Sequence, residues 1–479
     1  MRILVFHGYL LGGTGSNVYT ARLADALVRL GHEVHLVCQE RHPEHQAFVD
    51  VAGDWDGGGL VLRALRQETA GGPRCTVYRP DIGGLLPLYV QDRYEGIEAK
   101  TFAQCTDSEV AAYVQANVDA VRELAELVHP DVALANHLVM GPAILARALA
   151  SRASGTPYAV KIHGSALEYT VKPQPERFLG FAREGLAGAQ TVLVGSRHTA
   201  ESLWEALGEA DGESVRRRTR LGPPGVDVEH FAPRQPEQAK AELGTLIERL
   251  RAGGAGADDS EDAFARDEPA VAGALERLSD GVGDGELVAF VGKLIVAKGV
   301  QLLLDAWPLV LERCPQARLA VIGFGSDRER FQAQAAPLGD RVIFTGRLDH
   351  DELCHVLPLC EALVVPSIFP EAFGMVAAEA AACGVLPVSA AHSGLAEVSE
   401  TIAEPVPAEA TAWLSFPIDE DAPRAIAERI VAWLTADAAL KARTREALVS
   451  VAREHWSWQG VARGVIAAAR GEPVARPFG

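Results

Sequence analysis

The sequence is poor in the residues that cross-link small or secreted domains. Among its 479 residues are only seven cysteines, at positions 38, 75, 105, 314, 354, 360 and 383, and no two of them form a C-x-x-C pair. An odd, scattered set of this kind argues against a disulfide framework and against a structural zinc site. We therefore expect reduced thiols that pack as small apolar side chains.

Long apolar runs and positive charge are also scarce. No apolar run reaches the ~18 residues of a membrane span, and the opening MRILVFHGYLLGG lacks the small-x-small site of an export signal. The 45 Lys and Arg residues are outnumbered by 64 Asp and Glu residues, which gives a net charge of −19. Such a field repels phosphate backbones. We expect no nucleic-acid partner, no membrane association and a cytoplasmic location.

What the sequence does have is a repeated alternation of strand-like and helix-like segments, on a length that suits two or three domains at roughly 100–200 residues each. Strands are predicted at residues 2–6, 33–38, 132–136, 158–164 and 191–196, and again at 286–293, 317–325, 341–346, 361–367 and 384–390. This alternation is typical of α/β proteins with doubly wound parallel sheets. We predict two Rossmann-like halves that face each other, with ligands at the carboxyl ends of the strands, in the cleft between them.

The texture changes between the two halves. Residues 252–274, AGGAGADDSEDAFARDEPAVAGA, are rich in glycine, alanine and acidic residues and contain few large apolar side chains. Such a composition favours a mobile insertion or linker, which we place at about 234–285. The predicted domains are residues 1–210 and 211–455.

A glycine-rich turn follows the first predicted strand. Residues 12–17, Gly-Gly-Thr-Gly-Ser-Asn, open a helix whose N–H groups and dipole favour an anion. The dinucleotide fingerprint G-x-G-x-x-G is nearly met, but Val18 replaces its third glycine, and Glu40 stands where a ribose-binding acid would be. A phosphate-bearing ligand, an NAD(P)-linked oxidoreductase and a plain tight turn all remain open on this turn alone.

A second constellation lies in residues 366–388, PSIFPEAFGMVAAEAAACGVLPV, which contain Glu371 and Glu379. Pro370 and Gly374 predict that a helix begins near Gly374, with its N–H groups towards a phosphate between the two carboxylates. Eight helical residues span ~12 Å, so the carboxylates suit the two ends of one elongated ligand, such as a sugar and a ribose joined by a diphosphate. The alternative is a helix-start acid and a partly solvated one.

The same segment resembles the Glu-x7-Glu motif of retaining GT-B glycosyltransferases of family 4, the glycosyl transferases group 1. Further stretches match in the order of the family: Gly12-Gly13 with Asn17-Val18, Gly225-Val226-Asp227 with Phe231, Gly292-Lys293-Leu294 with Lys298-Gly299, Gly323-Phe324-Gly325, Phe344-Thr345-Gly346 and Gly394-Leu395-Ala396-Glu397-Val398. The likeness covers most of the chain outside about 40–130 and 234–285. It implies a GT-B fold whose last helix, within 456–479, returns to the N-terminal domain.

The resemblance implies that a nucleoside-diphosphate sugar is the co-substrate. Glu379 would accept hydrogen bonds from the ribose hydroxyls, and Glu371 would hold the donor sugar. The backbone at Phe373, Gly374 and Met375 would contact the sugar and the diphosphate.

A basic pair, Lys293 and Lys298, would neutralise the diphosphate. The family usually has arginine at the first position, and lysine supplies the charge without the bidentate fork. Side-chain cations would replace a divalent metal, so we predict no metal ion and no cofactor. The acidic triplets at 54–56 (Asp-Trp-Asp) and 419–421 (Asp-Glu-Asp) are expected to be solvated loop acids.

In the first half, the resemblance brings Gly12, Gly13 and Asn17 to the diphosphate. His163, in the stretch KIHGSALEY, resembles the family histidine near the reacting sugar. The predicted catalytic residues are thus His163, Glu371 and Lys298.

Together these assignments predict transfer of a hexose-type sugar from a UDP- or GDP-sugar to an acceptor hydroxyl, with retention of configuration. In the same-face route that the family implies, the departing diphosphate oxygen takes the proton of the acceptor, and cations stabilise the leaving group. A non-catalytic nucleotide-sugar-binding protein of the same fold is the other alternative. Residues 75–115, with Tyr78, Tyr89, Arg93 and Tyr94, suit a sugar-like or cyclitol-like acceptor, and they equally suit ordinary packing.

Overall fold

The computed structural model describes residues 1–12, 15–56, 59–66, 74–90, 98–150, 155–253, 266–280 and 286–473. The chain forms two compact units. Unit 1 consists of Met1–Gly225 and Trp458–Gly479, and unit 2 consists of Val226–Ser457.

Unit 1 begins with a βαβ segment and continues through a long series of strands and helices. Its elements up to the first chain crossing are β1 (Arg2–Phe6), α1 (Gly15–Arg29), β2 (Glu33–Val37), β3 (Val51–Asp56), β4 (Gly59–Ala64), β5 (Cys75–Arg79), β6 (Leu85–Leu88), β7 (Glu98–Thr101), α2 (Asp107–Val128), β8 (Val132–Asn136), α3 (Gly141–Leu149), β9 (Tyr158–Ile162), α4 (Pro175–Ala187), β10 (Thr191–Val194), α5 (Arg197–Leu207), α6 (Glu209–Arg218) and β11 (Thr219–Leu221).

Nine strands of unit 1 form one sheet in the order β11-β10-β9-β8-β1-β2-β5-β3-β4. All neighbouring strands are parallel except β3 and β4, which form an antiparallel pair. Strand β1 lies between β2 and β8, with Ile3 opposite Val34 on one side and Val132 on the other. The strand order therefore reverses beside β1, and such a reversal is where open α/β sheets bind their ligands.

Unit 2 contains α7 (Pro236–Ala252), α8 (Glu268–Asp280), β12 (Leu287–Val291), α9 (Val300–Arg313), β13 (Arg318–Ile322), α10 (Arg328–Ala335), β14 (Val342–Gly346), α11 (His350–Val356), β15 (Ala362–Val365), α12 (Met375–Ala382), β16 (Leu386–Ala390), α13 (Ser393–Ala403), α14 (Ala408–Thr411), β17 (Ser415–Phe416), α15 (Ala422–Leu434) and α16 (Ala438–Trp456). Its six strands form a parallel sheet in the order β14-β13-β12-β15-β16-β17. This order reverses between β12 and β15, which places the ligand edge of unit 2 there. The predicted pair of parallel-sheet α/β domains is confirmed.

The last helix, α17 (Trp458–Ala469), belongs to unit 1. It packs against α1 and against strands β8, β9 and β10. Its first residue, Trp458, lies against Gly225, where a Cβ atom would meet the indole at 2.4 Å. Only glycine therefore fits at the point where the chain leaves unit 1.

The boundary between the units lies at Gly225 rather than at residue 210. The reason is β11, a strand of only three residues that pairs parallel to β10 and extends the sheet of unit 1. The chain returns to unit 1 at Trp458, two residues after the start of the predicted segment 456–479, and Trp456 and Ser457 still belong to unit 2.

The prediction of a mobile insertion at 234–285 was wrong for its described parts. Helices α7 and α8 pack on each other, and α7 buries Leu243, Leu246 and Leu250 at helical spacing. Arg249 and Arg266 also bind the buried carboxylate of Glu352. Residues 254–265 and 281–285 lie outside the described residues.

Two further features concern the helices and the cysteines. No helix in the described part of the chain is long and apolar enough to cross a membrane. All seven cysteines are buried free thiols. Burial raises the pKa of the Cys38 thiol to about 12, so this thiol stays protonated and packs as an apolar group.

Candidate active site

Helix α12 begins where the sequence predicted. Gly374 is its N-cap, with a φ of 120°, and Met375 is its first helical residue. A Cβ atom at Gly374 would meet Leu395 at 2.7 Å, in a backbone conformation that side chains rarely adopt. The turn thus requires glycine and sets the helix N-terminus three residues after Glu371.

Lys298 and Glu371, both predicted as catalytic, form an ion pair through Nζ and Oε1. Lys298 ends a short 3-10 turn (Val296–Lys298) after β12, and Glu371 follows β15. Gly299 closes the turn with a φ of 73°, and a Cβ atom there would overlap the carbonyl of Pro366. The two chain segments approach closely because this position has no side chain, and the structure unites two residues 73 positions apart.

Polar residues that the sequence did not single out hold Glu371 in place. Ser367 Oγ donates to Glu371 Oε1 at 2.8 Å, and the backbone N–H of Glu371 donates to Ser393 Oγ at 2.9 Å. His392 Nε2 in turn donates to the carbonyl of Ser367 at 2.8 Å. Glu371 is thus fixed at both its backbone and its side chain while part of its carboxylate remains exposed.

Glu379 lies in the middle of α12 and is only 2 % exposed. His350 Nε2 donates to its Oε1 at 2.7 Å. This histidine is the first residue of α11 and was absent from the predicted set. A signal for it could not come from local spacing, because the two residues are 29 positions apart.

The remaining predicted donor residues of unit 2 differ in exposure. Lys293 is exposed directly after β12, whereas Met375 is half-buried. The ring of Phe373 is buried and meets Trp456 edge-on at 5.8 Å. Phe373 can therefore offer a ligand its backbone but not its side chain.

In unit 1, three strands are each followed directly by a histidine. His7, His137 and His163 each directly follow a strand, β1, β8 and β9 respectively. The rings of His7 and His137 stack at 5.7 Å, and those of His137 and His163 lie 5.0 Å apart. The sequence predicted one member of this cluster, His163, and missed the other two.

A hydrogen-bond chain fixes the tautomer of His163. Its Nε2–H donates to Asn136 Oδ1 at 2.7 Å, and Asn136 Nδ2 donates to Thr20 Oγ1 at 3.2 Å. Because a carboxamide oxygen only accepts, Nε2 carries the hydrogen and Nδ1 is left as an acceptor. Neutral His163 can therefore accept a hydrogen bond from a ligand hydroxyl.

The side chain of Asn17 forms its hydrogen bonds at the glycine-rich loop and not with solvent. It is buried, its Oδ1 accepts from His7 Nε2 at 2.9 Å, and its Nδ2 donates to the carbonyl of Gly12 at 2.7 Å. Asn17 thus positions Gly12, which is exposed with open space around it. Gly13 lies outside the described residues.

Burial keeps the histidine cluster uncharged. Desolvation lowers the pKa of His7 to about 4, and it holds the pKa of His137 and of His163 well below 6.5. Desolvation also lowers the pKa of Lys161, on β9, to about 7. Neither ring nitrogen of His137 makes a hydrogen bond with any residue that the structure describes.

A second feature of unit 1 is a cavity of about 270 Å³ at the carboxyl ends of β2, β3 and β5. Gln39, Asp54, Trp55 and Arg79 line it together with Arg41. Asp54 and Trp55 lie in β3 and not in a loop, and Arg79 Nε binds Asp54 Oδ1 at 2.7 Å, which corrects the prediction of a solvated acidic triplet.

The predicted acceptor tyrosines are not at the surface. Tyr78 is buried against His35, and the hydroxyl of buried Tyr89 donates to the carbonyl of Val139. Arg93 and Tyr94 lie outside the described residues.

One group of side chains in the described residues has metal-ligand spacing: His42, Glu44 and His45, all exposed on one short turn. Glu40, the candidate ribose acid of an oxidoreductase, accepts from the backbone N–H groups of Leu11 and His42, each at 2.9 Å. It is therefore already used in holding the loop.

Comparisons with known proteins identify the family of the chain. The profile of the family "Glycosyl transferases group 1" matches residues 279–453, and that of "Glycosyl transferase 4-like domain" matches residues 14–218. A D-inositol 3-phosphate glycosyltransferase of Frankia alni is 30 % identical over 73 % of this chain and 82 % of its own length. A GDP-mannose-dependent alpha-(1-6)-phosphatidylinositol monomannoside mannosyltransferase of Mycolicibacterium smegmatis is 32 % identical over 53 % of this chain and 56 % of its own.

Solved structures share the fold across nearly the whole length. Sucrose-phosphate synthase of Thermosynechococcus elongatus is 20 % identical, with 98 % of each chain covered and a TM-score of 0.60. Anabaena HepE in complex with UDP is 15 % identical, with 98 % and 100 % covered and a TM-score of 0.59. With its two parallel-sheet units, this chain belongs to the glycosyl transferases group 1 and is a glycosyltransferase of the GT-B fold.

Proposed function

We propose that the chain transfers a hexose-type sugar from a UDP- or GDP-sugar to an acceptor hydroxyl, with retention of configuration and without a metal ion. The observation that carries the proposal is the Lys298–Glu371 pair beside the start of α12. It combines a cation, a carboxylate and helix N–H groups at the ligand edge of a parallel sheet. This is the chemistry that a sugar joined to a diphosphate requires.

Each part of the donor has a counterpart in unit 2. The charges of Lys293 and Lys298 and the N–H groups at the start of α12 would stabilise the departing diphosphate. Glu371 would bind the sugar hydroxyls, and Glu379 would accept from the ribose. Because these cations neutralise the leaving group, no divalent metal is needed.

In the step itself, the bond between the anomeric carbon and the diphosphate oxygen breaks, and the acceptor oxygen bonds to that carbon from the same face. The proton of the acceptor goes to the departing diphosphate oxygen. We assign His163 to a hydroxyl of the donor sugar, from which its neutral ring accepts a hydrogen bond through Nδ1. Its low pKa makes it unsuited to act as a cation.

For the acceptor we propose a cyclitol or a similar polyol, bound by unit 1. The relative from Frankia alni is named for D-inositol 3-phosphate. In unit 1 the cavity near β3 combines the indole of Trp55 with two arginines, Arg41 and Arg79. An indole face suits a polyol ring, and guanidinium groups suit hydroxyls and phosphate.

Thermal unfolding with UDP, GDP, ADP and NAD(H) tests the donor class. A nucleotide at ~100 times its Kd adds about 2.7 kcal/mol to the free energy of unfolding. We expect stabilisation by UDP or GDP; stabilisation by NAD(H) alone would overturn the proposal and restore the oxidoreductase alternative.

Turnover separates an enzyme from a mere binder of the donor. The full chain is incubated with UDP- or GDP-glucose or -mannose and with inositol or its phosphate, with and without EDTA. NMR of the product should show the anomeric configuration of the donor, at a rate that EDTA does not change. Glu371→Ala should abolish turnover, whereas a binder of the same fold would show none to lose.

A further inference from the structure

The buried carboxylate of Glu379 has a partner that the family motif does not include. His350 Nε2 donates to Glu379 Oε1 at 2.7 Å, and Glu379 is 2 % exposed. A carboxylate withdrawn from water to this extent costs free energy unless it is hydrogen-bonded. A carboxylate also has about four lone-pair sites, so one bond from His350 fixes the plane of the others without using them.

Phe231 packs against the imidazole of His350. The two rings meet edge-on, with centroids 5.0 Å apart and the planes at 60°. Asp351 Oδ1 lies 3.9 Å from Nδ1, which is beyond hydrogen-bond distance. The contact with Phe231 and the bond to Glu379 together restrict rotation of the ring, so the direction of the Nε2–H bond is set before any ligand arrives.

The helix that carries His350, α11, is anchored by α7 and by the residues that lead into α8. Glu352, two residues further along α11, completes a capping box with Asp349, and its side chain is 4 % exposed. Arg249 of α7 and Arg266, just before α8, bind Glu352 Oε1 at 2.6 and 2.8 Å. Charge-assisted bonds of this kind are the strong ones. The helical pair α7–α8 thus holds α11 at its first turn.

We infer that His350 is a positioning residue for the donor nucleotide. It orients the Glu379 carboxylate towards the two ribose hydroxyls, and α7–α8 keeps it in place through Glu352. The inference rests on the proposed function, in which Glu379 accepts from the ribose. An oriented carboxylate distinguishes a ribose from a 2′-deoxyribose better than one that rotates, because its second acceptor site stays aimed at the missing hydroxyl.

Replacing the ring nitrogen tests this directly. His350→Phe keeps a ring against Phe231 but has no donor, and His350→Gln restores an N–H donor on a flexible chain. We expect H350F to weaken UDP or GDP binding about tenfold, the effect of one lost hydrogen bond to a charged group. The preference for the ribonucleotide over its 2′-deoxy form should fall by a similar factor, and H350Q should recover part of it.

The experiment is calorimetric titration of the full chain with UDP, GDP, 2′-deoxy-UDP and 2′-deoxy-GDP. His355→Phe is the matched control, since His355 lies on the same helix and faces Glu242 instead. The ratio of the two Kd values is read within one variant, so partial unfolding does not change it. An H350F variant with the wild-type ratio would overturn the inference.

The same titration separates this inference from the proposed function. A wild-type chain that binds neither UDP nor GDP contradicts the proposed function, whatever the variants do. A wild-type chain that binds one of them, with H350F and H355F giving equal ratios, contradicts only the role of His350.

Discussion

In unit 1 the strands β1, β8 and β9 are each followed by a histidine that burial keeps neutral, and the rings of His7 and His163 bond to amide oxygens and a hydroxyl. In unit 2 the equivalent strands lead into a lysine–glutamate ion pair and a second carboxylate. Both sheets consist mainly of parallel strands whose order reverses at one point, yet one edge presents neutral hydrogen-bonding groups and the other presents charged ones. A neutral edge suits hydroxyl-rich molecules, and a charged edge suits a diphosphate. Two copies of one fold can therefore contribute different chemistry to one reaction.

The largest effect is expected from removing a charge at the ligand edge of unit 2. Lys298→Ala should lower kcat by about 10²–10³-fold, the usual cost of removing one group that stabilises developing charge. The pair is partly exposed, so the thermal midpoint should hardly move. Initial rates with a saturating donor measure the effect, with Lys240→Ala, an exposed lysine on α7, as the control. Equal rates for both variants would mean that this edge does not bear on turnover.

Acid should destabilise the edge of the unit 1 sheet that carries His7, His137 and His163. A histidine whose pKa is lower in the folded state binds its proton mainly when unfolded, so folding stability is lost as pH falls below the unfolded value of about 6.5. Between pH 6.5 and 5.5, three such histidines together lower the free energy of unfolding by about 3 kcal/mol.

Hydrogen exchange locates that loss. Amides of β1, β8 and β9 should lose protection on acidification, while those of β12 and β15 keep it. Equal loss in both sheets would contradict a separate role for the buried histidines.

The chain crossing offers a steric test. Gly225→Ala should destabilise unit 1 by about 1–3 kcal/mol, since the new Cβ atom would lie 2.4 Å from the indole of Trp458. Gly244→Ala, in the open surroundings of α7, is the control and should add up to about 1 kcal/mol. Urea unfolding of both variants gives the two free energies, and a G225A variant as stable as the wild type would disprove close packing there.

The smallest effect is expected from replacing single members of the histidine cluster, because His7 has hydrogen-bond partners and the ring of His137 has none among the described residues. His137→Phe should stabilise the chain by about 1 kcal/mol, because no described residue pairs with its buried ring nitrogens. His7→Phe should destabilise it, because Asn17 Oδ1 would lose its donor. Unfolding free energies of opposite sign separate the two; a destabilised H137F would show that His137 does have a partner.

How much the sequence could predict depended on the range of the contacts involved. Strand positions and the start of α12 follow from local apolar runs and from Gly374, and the structure has both. The role of His350 depends on a contact 29 residues away, and the boundary at Gly225 depends on the pairing of a three-residue strand. Helices α7 and α8 were missed because their glycine- and acid-rich surroundings masked the apolar stripe of Leu243, Leu246 and Leu250.

The position of α17 affects how the chain folds during synthesis. The ribosome makes Met1–Gly225 first, yet α17 (Trp458–Ala469), which packs against β8, β9 and β10, is made only after the whole of unit 2. At roughly 5–20 residues per second, the 232 residues of Val226–Ser457 take about 10–50 s to appear. For that interval the nascent sheet lacks α17, and Leu134 and Leu193, which share a hydrophobic cluster with Trp458 and Ala462, are open to chaperones. The unit that is translated first is thus completed last.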